Sequence, residues 1–180
     1  TIDLIFPNLP IPHIFCHNSP MKHILTSVVL LVLLFPSLAL GVTLYDLVKT
    51  DGLYYKKFTD IPFSGTVTGS SQGKLKNGKK EGPWVSYWGN GQLFTKGTYK
   101  DGVREGPWVR YTDYGRLWWK GDFKNGKRVG PWVGYYEIAK LEFKGTYKDG
   151  QKEGPWVVYN EDGTVFERLT GTYKNGKKVK

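Results

Sequence analysis

Beyond Gly41 the sequence contains no cysteine, no histidine and no methionine; Cys16, Met21 and the histidines His13, His17 and His23 all precede it. Without a thiol pair, the rest of the chain cannot be stapled by disulfides, even in an oxidising compartment. Zinc and copper sites built on thiolate or imidazole are excluded there, as are Ser-His-Asp and Cys-His nucleophile systems. No metal or other cofactor is expected. Long apolar runs are scarce too. The one of note, Ile24 to Phe35, is broken only by Thr26 and Ser27 and meets Pro36, short of the ~20 residues needed to span a bilayer.

Met21-Lys22 before that run, and the small residues Ala39 and Gly41 after it, give residues 21–41 the pattern of a secretory signal peptide. Cleavage is expected between Gly41 and Val42, the alternative being a signal retained as an anchor. No cysteine follows to carry a lipid anchor, and residues 1–20 read as an upstream, non-native extension. The expectation is an exported protein, periplasmic or secreted. Charge divides the same way. Of 26 Lys and Arg and 16 Asp and Glu, only Lys22 and Asp3 precede Val42, so the net +10 belongs to the remainder.

What the chain has in abundance is glycine, 23 residues, and aromatic side chains, 16%. That balance favours a turn-rich β protein, and 180 residues suffice for one domain. Gly82-Pro83-Trp84-Val85 recurs as Gly106-Pro107-Trp108-Val109, Gly130-Pro131-Trp132-Val133 and Gly154-Pro155-Trp156-Val157, each 24 residues on. Gly97-Thr98-Tyr99-Lys100-Asp101-Gly102 keeps the same period at Gly121 and Gly145, and returns at Gly171 two residues late. Gly73 to Gly78 reads as half a repeat. Such a period means a stacked array in which each unit leans on its neighbours.

Asp101-Gly102 and its equivalents tolerate positive φ at both central turn positions, as a tight hairpin requires. Between the turns lie short runs such as Trp84-Val85-Ser86-Tyr87-Trp88, with strand composition. The expected fold is all-β: an antiparallel β-meander of tandem ~24-residue β-hairpin repeats in an open, elongated sheet. Units start near 82, 106, 130 and 154 in a repeat domain over 73–180, after an N-terminal cap segment over 42–72. Within that segment, residues 43–58 suit a first strand or a helical cap. Each Gly-Pro step is expected to mark a bulge or a corner where the sheet bends, because proline cannot donate to a ladder. In the third unit Ile138-Ala139 replaces Asn90-Gly91, so its turn is expected to be looser or of another type.

These residues resemble the variant MORN repeat family over about 58–178, through Gly-Pro-Trp-Val-x-Tyr, a central Asn-Gly or Asp-Gly, and Lys-Gly-Thr-Tyr-Lys-Asn-Gly. The resemblance implies stacked β-hairpins that bind or scaffold, with no catalytic residues to transfer. Similar bacterial proteins are commonly assigned as antitoxins of toxin–antitoxin systems, and similar eukaryotic repeats are scaffolds linked to membrane phospholipids.

Comparing units separates scaffold from candidate site. The recurring Trp84, Tyr87, Trp108, Tyr111, Trp132, Tyr135, Trp156 and Tyr159 read as packing residues. The position of Phe94 becomes Trp118 and Glu142, and that of Trp88 becomes Thr112. Trp88, Trp118 and Trp119 are therefore candidate partner contacts, unless a second layer or self-association covers them. Lys79, Lys80, Arg104, Lys127, Arg128 and Lys152 cluster at the inter-unit turns. They form either a basic stripe for an anionic lipid or acidic protein, or charges that keep the sheet soluble. Nucleic acid is disfavoured, since an exported protein rarely meets it. Carboxylates such as Glu81, Glu105 and Glu153 sit in turns among lysines, without the facing cleft that acid–base catalysis needs. The reading is a non-enzymatic envelope scaffold for protein or lipid. The alternatives are an antitoxin and a cell-wall carbohydrate-binding module in which exposed tryptophans stack on sugars.

Overall fold

A computed structural model describes residues 41–180; the expected signal peptide before Gly41 and the N-terminal extension lie outside the described residues. Five two-residue turns organise the large sheet: Asn77-Gly78, Asp101-Gly102, Asn125-Gly126, Asp149-Gly150 and Asn175-Gly176. Both residues of each hold positive φ, 50° and 84° at Asp101 and Gly102 for example. That geometry matches the right-handed twist of the strands it joins. The turns close hairpins between β4 (Ser71–Lys76) and β5 (Lys79–Tyr87), β6 (Leu93–Lys100) and β7 (Val103–Tyr111), and β8 (Leu117–Lys124) and β9 (Lys127–Tyr135). Two more join β10 (Leu141–Lys148) to β11 (Gln151–Val158) and β12 (Gly171–Lys174) to β13 (Lys177–Lys178). With β3 (Gly65–Val67) these form an 11-stranded open antiparallel sheet in strict chain order, β3 to β13. Every strand pairs only with its neighbours in sequence, the meander that the repeat period predicts.

The Gly-Pro steps are bulges. Between β6 and β7 the register passes from Lys96↔Val109 directly to Thr98↔Glu105, so Gly97 alone faces Gly106, Pro107 and Trp108. The same break recurs between Gln72 and Lys74, and between Lys120 and Asp122. On the other side of β7 the pairing is regular from Gly106 to Arg110, Pro107 opposite Asp122. Proline thus occupies the irregular stretch, where its missing N–H costs no regular ladder bond. The preceding glycines hold φ between 65° and 71°.

The bulge lets each tryptophan lean back over the preceding strand. The rings of Trp84, Trp108, Trp132 and Trp156 lie on Gly73, Gly97, Gly121 and Gly145, where any Cβ would overlap the indole. Each indole N–H donates to a carbonyl ten residues earlier: Lys74, Thr98, Asp122 and Thr146, at 2.9–3.2 Å. The four tryptophans are 2–3% exposed. Their edges are covered by Tyr99, Phe123, Tyr147 and Tyr173, which alternate with them in one continuous column. Successive centroids along it are 4.9–6.3 Å apart in near-perpendicular, edge-to-face contacts. Such contacts contribute roughly 0.5–1.5 kcal/mol each beyond the area they bury. The tyrosines Tyr87, Tyr111, Tyr135 and Tyr159 stand outside this column; Tyr87 is 37% exposed and the others are half-buried.

A separate hairpin, β1 (Leu47–Thr50) with β2 (Leu53–Lys56), follows a 3₁₀ turn over Leu44–Asp46. The turn is held by a capping box between Thr43 and Asp46. Leu47 joins Val67, Leu75 and Trp84 in one buried cluster, which closes the first end of the column. Residues 43–58 therefore contain both a helical turn and strands, and the large sheet begins at Gly65.

The expectation for the third long turn is overturned. Tyr136 N donates to the Lys140 carbonyl and Ala139 N to that of Tyr136, as Trp88, Gln92 and Gly91 do in the first unit. The turn is of the same kind; Ala139 simply adopts φ 62°, where Gly91 has 84°. The stacked neighbours impose the geometry on a residue that resists it. The two extra residues before Gly171 are absorbed by a turn in which Leu169 and Thr170 both donate to the Phe166 carbonyl. Trp156 still pairs with Gly171, as Trp84 does with Gly97.

Candidate functional site

Alternation along the strands sends the basic residues to different places. Lys80, Arg104, Arg128 and Lys152 share the face of the aromatic column. Lys80 Nζ is 4.1 Å from the centroid of Trp84, and the Arg104, Arg128 and Lys152 head groups are 4.4–4.6 Å from Trp108, Trp132 and Trp156. Burial, followed by the charges of Lys49 and Arg104, lowers the Lys80 pKa to about 8. The ring faces favour its charged form and oppose that fall. Burial lowers the Lys152 pKa as well. These four cations are half-buried lids on the column. Lys79 and Lys127 are exposed on the opposite face, their stems packed on the next turns at Gly102 and Gly150. The basic stripe expected along one edge is thus shared between two faces.

The opposite face carries an apolar floor flanked by lysines, with one acidic residue, Asp122, in its lining. Pro107, Val109, Pro131, Val133, Pro155 and Val157 line a shallow groove of about 660 Å³. Pro83 and Val85 extend it by a second depression that shares Pro107 and Val109. Lys96, Lys120 and Lys144 stand in the groove, one per unit and all exposed. Lys100, Lys124 and Lys148, four residues on, project to the same side. At three hairpin ends lysine directly opposes lysine: Lys76↔Lys79, Lys124↔Lys127 and Lys174↔Lys177. The row at 96, 120 and 144 was not singled out from the sequence, although its 24-residue recurrence ahead of each glycine seat is plain in retrospect.

Glutamates organise the turn edge without neutralising it. Glu81, Glu105 and Glu153 accept from the backbone N–H of Asp101, Asn125 and Asn175, at 2.8–2.9 Å. Each carboxylate ties its own unit to the next turn; Val129 holds that position in the third unit. The carboxylates are thus structural clamps, and among the described residues no three His, Cys, Asp or Glu are grouped to hold a metal ion.

The candidate aromatics separate. Trp119 lies on the column, 5.1 Å from Trp132 and 6.5 Å from Phe123. Trp118, 38% exposed, occupies the one-residue bulge between Leu117 and Trp119. Arg110 is held between the rings of Phe94 and Trp118, 4.4 Å from each, with its Nε buried and unbonded. Trp88 packs 4.4 Å from Phe94 and donates to the Tyr111 carbonyl. Trp88 and Trp118 meet in a hollow of about 440 Å³, whose other walls include Thr112, Tyr135, Tyr136 and Glu142.

No family model matches this chain, and no curated protein matches it.

Proposed function

We propose that the protein is a non-enzymatic scaffold of the cell envelope, whose lysine-lined groove binds an anionic partner: lipid headgroups or an acidic protein surface. One observation carries the reading. Lysines stand directly opposite lysines at three hairpin ends, an arrangement whose charge repulsion destabilises a sheet. Solubility alone would be served as well by mixed charges. An anionic partner turns that repulsion into attraction, while the Pro–Val floor accepts its apolar part. The envelope location rests on the Met21–Gly41 pattern, and the scaffolding role agrees with the resemblance to variant MORN repeats.

The test is flotation with phosphatidylcholine vesicles, with and without phosphatidylglycerol. The anionic lipid should add binding that 0.5 M salt removes. Each lysine near such a surface contributes about 1 kcal/mol. Replacing Lys96, Lys120 and Lys144 together by glutamate should therefore reduce the anionic increment at least ~100-fold. Equal binding to both vesicle types, unaffected by salt, would remove the lipid form of the proposal.

A further inference from the structure

The repeats serve as internal controls for one another, and two departures from their pattern coincide in one place. The position of Trp88 is held, at 24-residue steps, by Thr112, Tyr136 and Asn160 in the other three units. Thr112, the small residue between Trp88 and Tyr136, leaves a gap that their rings border. The bulge position is Phe94, Trp118, Glu142 and Phe166, so one carboxylate stands where the other units place an aromatic ring. Glu142 and Thr112 both line the hollow of about 440 Å³, with Trp88, Trp118, Tyr135 and Tyr136.

We infer that this hollow is a binding site for a methylated ammonium cation, such as a trimethylammonium group, free or carried on a lipid headgroup. Aromatic faces attract a cation through the ring quadrupole, and a quaternary ammonium sheds its weak hydration readily to sit among them. The polar atoms of two walls are already committed to backbone: Trp88 Nε1 donates to the Tyr111 carbonyl and Tyr136 Oη to the Tyr159 carbonyl, at 3.2 and 2.6 Å. Those bonds fix the rings and take up the donors of Trp88 and Tyr136. No lysine or arginine lines it. Three carboxylate residues, Asp113, Glu137 and Glu142, are among its lining. Burial raises the Glu142 pKa with no cation to offset it. Burial and the carboxylates of Glu142, Glu161 and Asp162 push the Tyr136 hydroxyl up. A bound cation supplies the counter-charge that Glu142 lacks. The site is independent of the anionic-partner groove, from which it shares no lining residue.

Choline titrated into the purified protein, followed by calorimetry and tryptophan fluorescence, tests the inference. Choline should bind at least tenfold more tightly than 3,3-dimethylbutan-1-ol, its uncharged counterpart of the same shape. Glu142→Gln should weaken choline about tenfold while leaving the near-ultraviolet dichroism unchanged. Thr112→Trp, which copies the first unit, should fill the gap and abolish binding. Phosphatidylcholine vesicles at 0.5 M salt separate the two sources: retention that Thr112→Trp removes marks a lipid headgroup, and choline binding without retention marks a small solute. Equal affinity for choline and the alcohol, no measurable choline binding, or full binding by Glu142→Gln would each overturn the assignment. So would binding of N-acetylglucosamine in place of choline, which would make the rings a sugar platform.

Discussion

At the residue scale, the fold depends on a coupling between glycine and tryptophan that composition alone conceals. Gly97 is required because the Trp108 ring occupies the place of its side chain, and Trp108 in turn is anchored at the adjacent Thr98 carbonyl. Gly97→Ala should therefore cost about 3 kcal/mol, the upper range for forcing volume into a packed site, read as a lower denaturation midpoint. Gly91→Ala should cost only ~1–2 kcal/mol, since its Cβ would meet open space and only the positive φ is penalised. A second prediction concerns Lys80. Its pKa falls to about 8 on folding, so between pH 8 and its ordinary 10.5 the unfolded chain holds a proton that the folded chain has lost. Stability must rise with pH across that window. Cation–π attraction and the exposed part of the ammonium reduce the gain to about 1 kcal/mol between pH 7.5 and 9.5. Thermal melts in this range should show it, and Lys80→Met should flatten the slope.

At the element scale, the two families of turns behave differently. The two-residue turns were readable from Asn-Gly and Asp-Gly, because only such pairs hold two successive positive φ values without strain. The long turns were less readable. Ile138-Ala139 has the wrong chemistry for the geometry it adopts, since hydrogen bonds to the neighbouring units, from Arg116 to the Glu137 carbonyl and from Tyr136 Oη to the Tyr159 carbonyl, outweigh its local preference. Ala139→Gly should accordingly raise stability by about 1 kcal/mol, less the entropy glycine adds to the unfolded chain. Equilibrium denaturation of the single variant checks it, and a loss of stability would mean that Ala139 makes contacts worth more than its strain. The bulges at Gly-Pro were predicted from the missing proline N–H. Which neighbour each indole would cover was not, because that depends on the register offset that the bulge itself creates.

At the scale of the whole molecule, the sheet, its chain order and the buried indoles were visible in the 24-residue period. The two-sidedness was not. Charged residues crowded around a turn look like one stripe until strand alternation assigns Lys80 to the rings and Lys79 to the far face. Trp118 and Trp119 looked like one patch for the same reason, and the bulge separates them. The hollow was legible only as two unrelated irregularities, Thr112 and Glu142, 30 positions apart.

The indole bonds all reach back ten residues, and each strand pairs only with the one before and the one after it. Contact order within the 11-stranded sheet is consequently low for an all-β chain, since no strand there closes a loop longer than a unit. Folding can begin at any unit and propagate along the array, at rates nearer those of helical bundles than of Greek-key sandwiches.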